Sequence, residues 1–273
     1  MNKYILLLLL LVVAVIFNYY APSSTQLIRV GVECDHEPYN WEEDSPTESN
    51  FPLVNNPGFY VEGYDVQIAK LVADEIGATV EFHKIDFNNL IPALVANEID
   101  AIFSGMVDTE ARRSIIAFTE PYEVKKVEYI VLVNKNSKYS GAKTLQDFRG
   151  AKFIGQKDSR FDEVIDQIRG VQHLPPLEAQ SAVVNEVIKL NADATVVNDD
   201  TGLSYELSNP ALKVIHFPEG RGFHLGFTGL CAGVRKSDTA LLRDMNAAIH
   251  GLSTRQRQRV MDLSTKRVWE HQQ

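Results

Sequence analysis

One construction occurs twice in this chain and limits what it can fold into: an amphipathic helix runs through an acid-alanine step into an apolar strand. In NNLIPALVANEIDAIFSG, Leu90, Ile91, Leu94 and Val95 share one helical face, and Asp100-Ala101 opens the strand. In SAVVNEVIKLNADATVVN, Asp193-Ala194 stands at the same step. Upstream, QLIRVGVE reads as a strand and TVEFHKI alternates as another. Between them GYDVQIAKLVADEIG puts Ile68, Leu71, Val72 and Ile76 on one face, with Asp65 as N-cap and Gly77 as the stop. Strand, helix, strand, helix, strand is the order of a parallel α/β sheet, whose ligand edge lies at the carboxyl ends of the strands. Two matching junctions predict two similar lobes rather than one large sheet.

The remaining segments fit that plan. Pro92 is expected in the first turn of its helix, where a missing N–H costs nothing. The polar stretch from Pro38 to Gly58, rich in turn formers, reads as a loop. LQDFRGAKFIGQ reads as a short helix, a glycine turn and a strand. FTEPYEVKKVEYIVLVNKNS is a long β-prone run suited to crossing from one lobe to the other, and GFTGLCAGVRKSD (226–238) is the return. ALLRDMNAAIHGLS and RQRQRVMDL read as closing helices. Residues 27–125 with 231–273 are therefore expected to form one lobe and 126–230 the other. Two crossings imply a hinge, and a hinged cleft is a natural place for a small ligand.

Lys3 followed by the unbroken apolar stretch Ile5–Phe17 has the layout of an export signal. Tyr19-Tyr20-Ala21 is a poor cleavage site, so residues 1–21 read as a signal peptide or a retained anchor; either puts the body outside the cytoplasm. A net charge of -9 with no basic stripe argues against a nucleic-acid partner. Cys34 and Cys231, the only cysteines, read as two buried thiols, with a disulfide as the alternative. Seven scattered histidines without ligand spacing argue against a metal, and nothing calls for a cofactor.

IRVGVECDHEPYNW, GYDVQIAKLVADEIG, DFNNLIPALVANEIDAIFSGMVDTEARR, FTEPY, LQDFRGAKFIGQ and VRKSDTALLRDMNAAI resemble, in order and spacing, the family 3 extracellular solute-binding proteins of amino-acid ABC importers. The resemblance covers nearly all of the chain after the apolar stretch. It implies an α/β, two-lobed periplasmic-binding-protein-like (type II) fold with a two-segment hinge, a periplasmic location, a monomer, and a membrane permease as partner. It places Arg112 on the ligand carboxylate, in a bidentate pairing that fixes direction as well as energy. Backbone N–H groups at Ser104, Gly105 and Val107 would share that carboxylate. Phe87 falls where the family packs an aromatic on the ligand, core packing being the alternative. Glu33 matches an acidic wall position, His36 replaces a common aromatic, and Trp41 either covers the site or anchors its loop, which resembles an insertion.

The second lobe departs from the family. Asp158-Ser159 stands for a Gly-Thr pair: Ser159 can supply the hydroxyl, whereas Asp158 lacks glycine's freedom and adds a repelling charge. Asn198 stands where an acid would receive the ligand's amino group, with Asp199 and Asp200 next in line. The expected ligand is a small polar amino acid or related carboxylate, with the acids favouring a polar or cationic one. An alternative is a prephenate or arogenate dehydratase on the same fold, with Arg112 as clamp and Glu33 or Asp199 titrating. An extracytoplasmic sensor is disfavoured, because little chain after Arg267 remains for a signalling domain.

Overall fold

The computed structural model describes residues 26–123, 128–218, 220–225 and 229–271. The apolar stretch read as a signal or anchor, and the middles of both crossings at 124–127 and 226–228, lie outside the described residues. Among these, no helix is long and apolar enough to cross a membrane.

The strands, in chain order, are β1 (Leu27–Val32), β2 (Asp35–His36), β3 (Asn40–Glu43), β4 (Phe51–Pro52), β5 (Tyr60–Glu62), β6 (Thr79–Lys84) and β7 (Ala101–Ile102). They continue with β8 (Ala117–Phe118), β9 (Tyr129–Asn134), β10 (Lys152–Phe153), β11 (Gln172–His173), β12 (Ala194–Asn198), β13 (Leu212–Ile215) and β14 (Gly233–Val234). One five-stranded sheet has the order β6-β1-β7-β14-β8 and centres the front lobe; the other, β11-β10-β12-β9-β13, centres the rear lobe. Position follows hydropathy. YIVLVN of β9 is buried at all six residues and lies between two neighbours, whereas the alternating TVEFHK of β6 takes an edge. The chain returns to the front sheet through β14, antiparallel to β7 and β8.

The two junctions are built alike. In the front lobe the Asp100 N–H donates to the Arg29 carbonyl at 2.7 Å, and the Arg29 N–H returns to the Asp100 carboxylate at 3.1 Å. In the rear lobe Asp193 and Lys152 make the same exchange, both bonds at 2.8 Å.

Three expectations are corrected. The Pro38–Gly58 segment is not merely a loop: β2, β3, β4 and β5 form a small antiparallel sheet in the order β2-β3-β5-β4, with Trp41 opposite Glu62. Trp41 is buried and donates its indole N–H to Glu43 at 2.6 Å, so it anchors this sheet. Asp65 is not a cap. Gly63 occupies the N-cap position of the helix Tyr64–Glu75, while the buried Asp65 carboxylate accepts from Asn40 at 2.9 Å and Tyr122 at 2.7 Å. Burial raises the Asp65 pKa to about 7 against those bonds. The next helix begins at Phe87, so Pro92 lies beyond the first turn of Phe87–Val95. Both cysteines are buried and unpaired, and burial pushes the Cys231 thiol up to about 12.

Candidate functional site

The carboxyl ends of β1 and β7 supply the front wall of a cleft between the lobes. Past β1, the Glu33 N–H donates to the Ser104 hydroxyl at 3.0 Å, tying the two strand ends together. Gly105 follows with φ of 59°, and a Cβ there would stand 2.8 Å from His36 Nδ1, so only glycine fits under the imidazole. The Gly105 N–H is taken by the Asp65 carboxylate. Ser104 is fully buried behind the wall.

Thr109 caps the short helix Glu110–Arg113, its hydroxyl accepting the Arg112 N–H. That places Arg112, 8% exposed, on the cleft wall. Its guanidinium donates to the Val107 carbonyl at 2.9 Å and, across the cleft, to the Asp158 carbonyl at 3.0 Å. It lies 5.4 Å from the centre of the Phe87 ring. Burial lowers the Arg112 pKa. Among the described residues no carboxylate forms an ion pair with it. A buried cation held only by carbonyl dipoles and a ring face retains most of its unmatched charge.

From the rear lobe, Asp158 adopts φ of 59°. Aspartate therefore does take the left-handed conformation for which glycine is usual, as its short side chain allows. Ser159 caps the helix Arg160–Glu163: its hydroxyl accepts from the Asp162 N–H at 3.3 Å and donates to the Gln156 carbonyl at 2.7 Å. Asn198 caps the helix Asp199–Ser208, accepting from the Thr201 N–H at 2.8 Å, with its amide nitrogen 3.3 Å from His36 Nε2. Burial lowers the His36 pKa to about 4, so the ring is neutral.

Glu33, His36, Phe87, Gly105, Val107, Arg112 and Ser159 thus line one inner cavity, while Ser104, Asn198 and Asp199 do not. Tyr129, Gln156, Arg160 and Phe161 complete the wall and were missed by sequence reasoning. Only the nearness of Gln156, Arg160 and Phe161 to Ser159 in the chain could have flagged those three. The inner cavity encloses about 20 Å³ open to the centre of a water molecule, about one water's worth. The lobes are closed over it.

Other contacts hold them together. The Tyr39 hydroxyl donates to Asp200 at 3.1 Å, the Thr201 hydroxyl to the Glu37 carbonyl at 2.8 Å, and the Ser181 N–H to Asp35 at 2.9 Å. Gln156 donates its amide to Glu33 and to the Glu178 carbonyl at 3.1 Å. Beyond Glu33 lies a larger, more open cavity of about 520 Å³ between the same lobes. Its wall includes Glu33, Asp35, Glu37, Glu42 and Asp86, with Lys84 as its cation. No group of described residues has the makings of a metal site.

Comparison with known proteins bears on the family and the fold. The sequence model of the bacterial extracellular solute-binding proteins, family 3, matches residues 28–262. The probable histidine-binding protein of Campylobacter jejuni is 28% identical over 209 residues, covering 75% of this chain and 73% of that protein. The ABC transporter arginine-binding protein 1 of Escherichia coli is 27% identical over 236 residues, covering 84% and 86%. An amino acid ABC transporter substrate-binding protein from Streptococcus pneumoniae, solved bound to L-arginine, superposes with a TM-score of 0.76 at 21% identity, over 88% of this chain and 94% of that one. That likeness establishes the shared two-lobed fold.

Proposed function

Because this chain belongs to the bacterial extracellular solute-binding proteins, family 3, we propose that it captures a small amino acid between its lobes and passes it to the membrane permease of an ABC importer. It works outside the cytoplasm, as a monomer, without cofactor or catalysis. Its lobes comprise residues 27–125 with 231–273, and 126–230.

The observation that carries this reading is Arg112. A desolvated guanidinium facing a cavity, with carbonyls as its hydrogen-bond partners, is matched by a ligand carboxylate in two charge-assisted bonds. Phe87 gives the ligand an apolar face, and Gly105 and Val107 let its backbone approach closely. Of the two acids offered to the enzyme reading, Asp199 is off the wall of the inner cavity and Glu33 is on it, and the relatives are named as binding proteins. The relatives named for arginine and histidine, together with the acids of the outer cavity, favour a solute with a polar or cationic side chain. Because the closed inner cavity is far smaller than any amino acid, the lobes must part for entry.

A melting-temperature screen of the purified protein across the amino acids tests the reading. Ligand at about 100 times its Kd adds about 2.7 kcal/mol to stability, a shift of several degrees. No shift with any amino acid, or turnover of prephenate or arogenate, would overturn it.

A further inference from the structure

Glu33 stands where the inner and outer cavities meet and is a carboxylate common to both walls. We infer that Glu33 and Gln156 together sense solute charge: the lobes close on a cationic solute with Glu33 ionised, but close on a neutral solute only with one proton taken up. This deepens the amino-acid reading and rests on it.

The geometry makes the burial of Glu33 conditional. Its backbone belongs to the front lobe, through Ser104. The amide that reaches its carboxylate belongs to Gln156 of the rear lobe, itself 3% exposed. Ala179 and Tyr205, also from the rear lobe, wall the outer cavity beside it. Glu33 is 5% exposed in this closed arrangement, and separating the lobes returns its carboxylate to water.

The groups around it do not supply the missing charge. Asp35 and Asp86 from the front lobe are acids that repel its ionised form. Lys84 is engaged by Glu42 at 2.8 Å. Across the inner cavity, the Arg112 charge is taken on the proposed reading by the solute's carboxylate, and Arg160 is paired with Glu163. His36 is neutral, and Tyr205 is a phenol held protonated by burial. Among the described residues Gln156 alone donates to its carboxylate, and it carries no net charge.

Burial first, and Asp35 second, raise Glu33 to about 8 in the closed form, against the Gln156 bond. An open, solvated glutamate sits near 4.3. A group raised on closing favours the closed form while protonated, and that benefit fades as pH climbs through the raised value. Closing on a neutral solute therefore takes up nearly one proton between about pH 5 and 7, and its affinity there falls by about tenfold per pH unit. A cationic side chain beside Glu33 keeps it ionised and removes the slope. Selectivity for the cation grows with pH.

Calorimetric titration with glutamine and with arginine, each in two buffers of different ionisation heat at pH 6.5, counts the protons. About one proton taken up with glutamine and about none with arginine is the expected result. The Glu33→Gln variant should bind glutamine with no pH slope and lose its preference for arginine, while Gln156→Ala should weaken both solutes and keep the slope. Equal proton counts for both solutes, a glutamine slope that survives Glu33→Gln, or arginine binding with no glutamine binding even at pH 5 would overturn the inference. Binding of neither solute, nor of any other amino acid, would instead overturn the amino-acid reading itself.

Discussion

In the front lobe Asp100 receives the side chains of Arg29 and Arg235 as well as the Arg29 N–H, whereas its counterpart Asp193 in the rear lobe is held through the Lys152 backbone. The same asymmetry runs along the cleft. Front-lobe groups at the site are fixed by partners within their own lobe: Glu33 by Ser104, Gly105 by Asp65, Arg112 by Val107 and Thr109. In the rear lobe, Ser159 and Asn198 cap their own helices, and the bonds that reach the front lobe come from Gln156, Ser181, Thr201 and the Asp158 carbonyl. On the proposed reading, the front lobe recognises charge and the rear lobe covers it with helix ends that meet the front wall.

The sharpest way to break this comparison is to remove the charge from the front wall. Arg112→Ala should weaken the best solute by about 100-fold or more, since two charge-assisted hydrogen bonds contribute about 1.5–3 kcal/mol each. The ligand-free melting temperature should change by only a few degrees, and isothermal titration with a thermal melt reads both.

Next comes the pair of junctions. Asp100→Ala leaves two guanidiniums without their shared carboxylate and should cost about 2–3 kcal/mol, against about 1 kcal/mol for Asp193→Ala. Urea midpoints compare them. Burial alone would raise the Asp100 pKa, but the bonds from Arg29 and Arg235 hold it well below the usual carboxylate range. Its contribution is therefore present above about pH 4 and is lost as pH falls toward its lowered value. The gap between wild type and Asp100→Ala should narrow in acid.

A cover that caps itself makes a smaller prediction. Ser159→Ala should cost about 1 kcal/mol of stability through the lost cap, with an affinity change under about tenfold. The smallest effect belongs to His173, whose ring lies between Asp162 at 2.8 Å and Asp166 at 2.9 Å. Partial burial lowers its pKa, but the two carboxylates outweigh this and raise it. Its support is full below about pH 6.5 and disappears as pH rises through the raised value. His173→Gln should be less stable than wild type by about 0.5–1 kcal/mol at pH 6 and near parity at pH 9, by denaturant titration.

The long elements were legible because their periodicity spans several turns or alternations, as in GYDVQIAKLVADEIG and TVEFHKI. The small β2-β3-β5-β4 sheet was not, because strands of two to four residues among turn formers show too few periods to register. Asp65 misled because an acid at a helix start satisfies the capping pattern whether its side chain turns to the helix or, as here, to Asn40 and Tyr122. Arg112 was singled out by its position in the family resemblance; what turns it to the cleft is the Thr109-capped helix Glu110–Arg113, which that position does not reveal. Gln156 could not, since a neutral amide in a strand-to-turn run has no spacing signature; only the other lobe gives it meaning. Ser104 and Gly105 were found at the right edge, but their polar groups turn inward, a matter of dihedral angles that composition does not encode.

The grips of Asp35, Glu37 and Tyr39 on Ser181, Thr201 and Asp200 all arise from five consecutive residues, braced by the little sheet behind them. Because they are clustered on one stretch of chain, they act as a clasp on one rim of the gap. Removing the Tyr39 or Thr201 hydroxyl, neither of which lines the inner pocket, would change the dwell time of a captured solute, so release can be adjusted apart from the choice of cargo.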